Sequence, residues 1–276
     1  MKLVKYILGV SAFCLLLVSA TSVKAQAVRL KVASWNVLSF EQEDKSGERN
    51  GFPVAPFVKF IQDIDPDVMV LNEFETMTGR MGKEKMAELA ASLNMYAYFI
   101  ESYPKEVGFY GNVILSKYPF VSTASKKFTY KNYKGKGYYD HNSGSELYEF
   151  GSDQRSIGYA DILVPTQNNS TRIIRIAGTH FDHMDTYAKV KYQEPESIEF
   201  LSLNKPVYPT VMMGDLNVSS LSELEQIPQL CDMAADNWLD YILTFPKNTW
   251  TVTDSGTMFS GNLSDHNAVY ATLEIK

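Results

Sequence analysis

Six places in the chain set a carboxylate, an amide or an imidazole at the end of an apolar run. Asn36 closes Ser34-Trp35-Asn36, and Glu73 closes Leu71-Asn72-Glu73. His180 and Asp182 lie in Thr179-His180-Phe181-Asp182-His183, and Asp215 and Asn217 in Gly214-Asp215-Leu216-Asn217. Asp240 opens Asp240-Tyr241-Ile242, and Asp265-His266 precedes the last apolar segment. A lone Asp or Asn after a strand is usually a turn residue. Six such ends in one chain are more than turn chemistry explains. Carboxylates and amides without cysteine form a hard, oxygen-rich site that suits Mg²⁺, Mn²⁺ or Ca²⁺ rather than zinc. Two histidines beside such a site can hold phosphate oxygens or move protons near neutral pH. A carboxylate that activates water would complete metal-assisted phosphoester hydrolysis.

These residues need strands to position them, and the pattern supplies strands. Arg29 to Asn36 alternates as a strand, and Phe57 to Ile64 reads as a helix stopped by Asp65-Pro66-Asp67. Val68 to Asn72 is a short buried strand, and Gly82 to Leu93 has helical spacing. Strand-like runs follow at 96–100, 113–116, 156–164, 173–179, 211–214 and 269–275, with a second helix within 196–203. Thr129 to Glu149 is predicted to be a long loop. Early alternation of strand and helix followed by strand-rich stretches predicts a layered α/β fold with mixed sheets. Polar residues at strand mouths then face a common crevice.

Composition narrows the setting. The 276 residues are 45% hydrophobic and 21% charged, which excludes disordered, collagen-like and coiled-coil chains. Lys2 and Lys5, the apolar run from Tyr6 to Ala20 and small residues around Ala25 have the anatomy of a cleaved signal peptide over 1–25, with an uncleaved anchor as the alternative. Residues 26–276 then form one domain, secreted or periplasmic. The full chain carries a net charge of -6, and removing Lys2, Lys5 and Lys24 leaves 23 basic and 32 acidic residues, a net charge of -9. Nucleic-acid binders usually carry a basic footprint, so charge disfavours a nucleic-acid partner without excluding a local basic cleft. Only Cys231 survives cleavage, which leaves no internal disulfide and predicts a small buried hydrophobe. No obligate protein partner is evident.

In this order, Ser-Trp-Asn, Leu-Asn-Glu, Gly-Asn-Val-Ile-Leu-Ser-Lys-Tyr-Pro, Thr-His-Phe-Asp, Gly-Asp-Leu-Asn, Asp-Tyr-Ile and Ser-Asp-His span essentially the whole mature chain. The sequence thereby resembles the endonuclease/exonuclease/phosphatase superfamily, which includes pancreatic-type deoxyribonuclease, abasic-site endonucleases, bacterial sphingomyelinases and inositol-polyphosphate phosphatases. The resemblance implies a four-layered α/β sandwich, two mixed β-sheets flanked by helices, with the active site at one sheet edge. It implies Glu73 as principal metal ligand, with Asn36 orienting the metal or its water and Asp265 nearby. Asp215 would prepare the attacking water, with Asn217 holding that water or a phosphate oxygen. His180 would bind phosphate, and His266, paired with Asp240, would stabilise charge or move a proton. Arg155 and, more loosely, Asn112 match substrate-binding positions. Asn72 replaces the family glutamine, a change expected to be silent. Asp215 and His266 stand on strand-end loops, where truncation is expected to cost little stability.

His183 reads as a neighbour rather than a catalytic group, and His141 as solvated. The Tyr and Lys cluster at Tyr130, Lys131, Tyr133, Lys134, Lys136, Tyr138 and Tyr139 could stack on bases, make transient contact with a membrane surface, or simply be solvent-exposed. The residues favour a metal-dependent phosphodiesterase or phosphatase on a small or lipid-linked phosphoester, ahead of a secreted nuclease and of a non-catalytic binding protein.

Overall fold

The computed structural model describes residues 27–41, 53–78, 85–129, 138–140, 145–147, 154–166, 170–183 and 186–275. The segment 1–25, His141 and the cluster residues Tyr130 to Lys136 lie outside them. Among the described residues, no helix is long and apolar enough to cross a membrane.

The chain begins with β1 (Val28–Asn36), α1 (Val54–Ile64), β2 (Val68–Thr76), α2 (Lys85–Leu93), β3 (Tyr96–Lys105), β4 (Gly108–Ser116) and β5 (Phe120–Lys127). Two short paired strands, β6 (Tyr138–Asp140) and β7 (Ser145–Leu147), interrupt the segment expected to be an unbroken loop. Then come β8 (Ser156–Pro165), β9 (Thr171–His180) and a helical run of α3 (Thr186–Ala188), a π-turn (Lys189–Gln193) and α4 (Glu194–Leu201). The remainder is β10 (Thr210–Asp215), α5 (Ile227–Leu230), β11 (Asp232–Asn237), β12 (Asp240–Phe245), β13 (Trp250–Met258) and β14 (Ala268–Ile275).

Two six-stranded sheets result, ordered β13-β14-β1-β2-β4-β3 and β11-β12-β10-β9-β8-β5. Each is antiparallel except for one central parallel pair, β1 with β2 and β9 with β10. A parallel pair needs a crossover, and helices provide both: α1 between β1 and β2, and the α3–α4 run between β9 and β10. Inward side chains such as Val32, Val70, Ile114, Ile176, Met213, Ile242 and Leu273 form the layer between the sheets. On the outer face of the first sheet, Trp35, Met69 and Leu71 pack on Phe57, Phe60 and Ile61 of α1. On the outer face of the second, Ala177 and Met212 pack on Ile198 and Leu201 of α4. Helix, sheet, sheet and helix make the expected four-layered sandwich. Cys231 is buried in that last cluster, and burial pushes its thiol up to about 11.

The ends of the helices are set by sequence. α1 stops where Asp65 turns left-handed, with φ 50°, before Pro66, whose missing N–H and ring cannot continue a helix. Every parallel strand runs toward the same edge of the sandwich, so Asn36, Glu73, His180 and Asp215 arrive there together. β12 and β14 run the opposite way, which brings their starts, Asp240 and the turn holding His266, to that edge as well.

Candidate active site

Local distortions aim the strand ends. Pairing of β2 with β4 slips between Leu71 and Phe74, and Glu73 takes φ 56°, so a bulge turns its carboxylate toward the site. β10 approaches β9 so closely that a Cβ on Gly214 would sit 1.9 Å from the Thr179 carbonyl oxygen, and its φ of 147° also demands glycine. That accounts for the residue before Asp215.

Asn36 joins the two sheets. Its Nδ2 donates to Glu73 Oε1 at 2.9 Å and to Asp215 Oδ2 at 3.2 Å, while its Oδ1 accepts from the Leu38 amide at 3.0 Å. Asp215 Oδ1 accepts from the Asn217 amide at 2.9 Å. Around Asp215 Oδ2 stand His180 Nε2 at 3.5 Å and His266 Nε2 at 3.8 Å. His266 Nδ1 lies 2.6 Å from Asp240 Oδ2. Its backbone is fixed from the first sheet: Trp35 Nε1 donates to the His266 carbonyl at 2.9 Å, and Ser264 Oγ accepts from the His266 amide at 3.1 Å while donating to the Asn36 carbonyl at 2.7 Å.

The environments push these groups apart in proton affinity, which separates acid from base. Burial would lower His266, but the hydrogen bond and charge of Asp240 outweigh it and lift the imidazole to about 9, so it is cationic at neutral pH. Burial, and then the Asp240 charge, hold Asp215 above the ordinary carboxylate range, which makes it a stronger base than a free aspartate. His180 is driven well below its usual value by burial, then by Arg155, His266 and His183, and stays neutral. Arg155 Nη1 lies 3.2 Å from His180 Nδ1. A guanidinium only donates, so Nδ1 accepts and the ring proton sits on Nε2. Asn217 Nδ2 is 3.0 Å from that Nε2 and donates to the Phe181 carbonyl at 3.0 Å. Two N–H groups meeting in this way call for an acceptor oxygen beside them. Asn112 adds a third donor: its Oδ1 accepts from Asn72, and its buried Nδ2 has no partner among the described residues.

The expected site residues therefore fall into one constellation, with one outlier. Asp265 is exposed; Ser264 Oγ lies 3.4 Å from its Oδ1, and its charge reaches Glu73, Asp240 and His266 without contact. His183 is exposed, 3.5 Å from Arg155 Nη2. Asp182 is buried, and its backbone amide donates to Gln193. Asn72 is fully buried, donates to Asn112 Oδ1 and to the Thr179 carbonyl, both at 2.8 Å, and accepts from the Asp215 amide at 3.0 Å. One expectation needs correction: Asp215 and His266 are not strand-end loop positions that can be truncated cheaply, since Asp215 is the last residue of β10 and the two are 2% and 7% exposed. Tyr110 was also missed. It is buried against Tyr103, its ring stacked at 4.9 Å, with its hydroxyl bonded to Arg155. In sequence it is one tyrosine among 17, with nothing to mark it.

The donor set fits a divalent cation. Glu73, Asp215 and Asp240 crowd together, and Asp240 Oδ1 is buried without a partner among the described residues. Ligand atoms of Asp215, Asp240 and His266 lie within 4.8 Å of one another. A cation between them would have to break the short Asp240–His266 hydrogen bond. Glu73, half-buried and, among the described residues, held through Oε1 by Asn36, offers the more open hard oxygens.

No curated protein matches the sequence. Among solved structures, an endonuclease/exonuclease/phosphatase from Beutenbergia cavernae aligns with 90% of this chain and 72% of its own, at 19% identity and a TM-score of 0.61. A family protein from Bacteroides thetaiotaomicron covers 91% of this chain and 96% of its own, at 14% identity and 0.60. The human Nocturnin catalytic domain with bound sulfate anion covers 90% and 94%, at 13% identity and 0.63. At such identities these likenesses speak to the fold. The sequence model described as the Endonuclease/Exonuclease/phosphatase family matches residues 33–266, a span that opens inside β1 and closes on His266. The chain belongs to that family, whose members are phosphoester hydrolases.

Proposed function

We propose that this protein is an exported hydrolase that uses a divalent cation, Mg²⁺ with Mn²⁺ or Ca²⁺ as substitutes, to cleave a small or lipid-linked phosphoester. The observation that carries the reading is the pairing of acid and base: cationic His266, anchored 2.6 Å from Asp240, faces Asp215 at 3.8 Å. Asp215 takes a proton from water as it attacks phosphorus. His266 stabilises charge on the opposing oxygens and supplies a proton to the departing alkoxide. Arg155, His180 through Nε2–H, Asn217 and Asn112 bind the non-bridging phosphate oxygens with donors already in place, so little reorganisation is needed as charge builds. Glu73, clamped by Asn36, would hold the cation, which when bound neutralises phosphate charge as a Lewis acid.

The test is a Mg²⁺- and EDTA-controlled screen of the mature protein on plasmid DNA, RNA, sphingomyelin, inositol phosphates and a chromogenic phosphodiester. EDTA is expected to abolish hydrolysis. Loss of partners that merely support ligands costs about 10–100-fold in metal affinity, so Glu73→Ala should raise the Mg²⁺ needed for half-activation by about tenfold or more. Activity surviving thorough chelation would overturn the assignment. Export rests on the N-terminal pattern of 1–25, and the intact mass of secreted protein should place the mature N-terminus near Gln26. A membrane-bound chain that keeps those residues would refute it.

A further inference from the structure

One buried carboxylate beside the site takes no part in the chemistry above. Glu75, on β2 two residues after Glu73, is 0% exposed. Its Oε1 accepts from Ser39 Oγ at 2.9 Å and from Lys105 Nζ of β3 at 2.5 Å, and its Oε2 accepts from Thr78 Oγ1 at 2.8 Å. Ser39 lies at the centre of a tight turn that follows β1. Leu38, Ser39 and Phe40 take φ 46°, 53° and 59°, and none is glycine. Three successive residues in the left-handed region persist only where their surroundings over-determine them. Here Ser39 is tied to β2 through Glu75, and Phe40 is buried with its ring 4.1 Å from Phe57 and 5.3 Å from Phe74.

What the turn delivers is the first of its amides. The Leu38 N–H meets Asn36 Oδ1 at 3.0 Å. A backbone N–H can only donate, so the amide oxygen of Asn36 must face it and Nδ2 must face Glu73 and Asp215. Rotated the other way, Asn36 would offer a cation a lone pair; held this way, it offers none and binds both carboxylates instead. We propose that Glu75 is a positioning residue: through Ser39 it holds the left-handed turn that fixes Asn36 as a donor to Glu73 and Asp215, and thereby sets the cation affinity of the site. Asn36 is then a brace for the carboxylate that takes the cation, not itself a ligand. The inference rests on the cation-dependent phosphoesterase reading and adds how its ligand is held. A ligand that its partners already orient need not be ordered when the ion arrives.

The test measures Mn²⁺ binding to the mature protein by electron paramagnetic resonance, with no substrate present. Glu73→Gln locates the site and should weaken binding strongly. Ser39→Ala removes the hydroxyl that Glu75 holds and should weaken Mn²⁺ binding about tenfold, the low end for partners that orient a ligand. Glu75→Gln keeps an acceptor oxygen for that hydroxyl and should bind close to wild type. Asn36→Ala should weaken binding as much as Ser39→Ala, and adding Ser39→Ala to it should change nothing further, since both act through one amide. In NMR spectra of the metal-free protein, the Asn36 side-chain NH₂, identified by its absence from Asn36→Ala, should exchange slowly with solvent. Ser39→Ala should speed that exchange severalfold. If Ser39→Ala binds Mn²⁺ as tightly as wild type or more tightly, or weakens binding equally with and without Asn36, the proposal falls and the phosphoesterase reading stands. If Mn²⁺ binding to the wild type does not respond to Glu73→Gln, both fall.

Discussion

Changing His266 to Asn, whose amide nitrogen can take the place of Nδ1 beside Asp240, or Asp215 to Asn is expected to lower kcat by about 10²–10⁴ on the best substrate while KM changes little. In the proposed mechanism both groups act on the transition state, one holding positive charge where the alkoxide forms and the other preparing water. Isosteric replacements are the right test because both sites are buried. Deleting the imidazole outright would strand Asp240, which is 0% exposed and held at 2.6 Å by His266, as an unpaired charge, and breaking such a pair costs about 3–5 kcal/mol. An alanine variant would therefore confuse lost chemistry with lost stability. The double variant should cost less than the product of the singles, since the two residues serve one step. His183→Ala is the internal control: exposed and 3.5 Å from Arg155, it should lose far less. Near wild-type turnover in either isosteric variant would move the active site elsewhere.

Asn72→Ala is expected to destabilise the protein by about 2–4 kcal/mol and to slow it about tenfold. The amide ties β2 of one sheet to Thr179 and Asp215 of the other, and removing it leaves the Thr179 carbonyl, the Asp215 amide and Asn112 Oδ1 without those bonds in a buried layer. Each unsatisfied buried group costs about 1–3 kcal/mol, partly recovered as water enters. At about 2–4 °C per kcal/mol for a chain of this size, the melting temperature should fall by about 5–15 °C. The rate falls because the Asp215 amide is what Asn72 positions. A melting temperature within about 2 °C of wild type would show that the bridge contributes nothing.

The sheet edge was legible in the sequence because each central strand is a continuous apolar run, and a polar residue at its end has only one direction to face. Of the four edge strands, β3 was read over Tyr96 to Ile100 and the other three were not. β5 and β13 are exposed along most of their length and built from Ser, Thr, Lys, Asp and Gly, so no alternation marks them. Their pairing comes from neighbours already in place. β11, at the margin of the second sheet, is short and half-exposed, and escaped for the same reason. Among site residues, strand position revealed Glu73, His180 and Asp215, but not which way an amide turns. Asn36 directs nitrogen, not oxygen, at the two carboxylates, and Asn72 reaches into the opposite sheet. Both depend on how the two sheets are juxtaposed, and no local pattern encodes that.

The last strand pairs with the first, Ile275 opposite Val28, and carries His266 to its place beside Asp240. A ribosome makes Asn36 long before His266. Until β14 is complete, β1 has an open side, Asp240 lacks its cation, and the acid that the proposed reaction needs does not exist. On the proposed mechanism, a chain that lacks β14 is therefore expected to be inert rather than partly active.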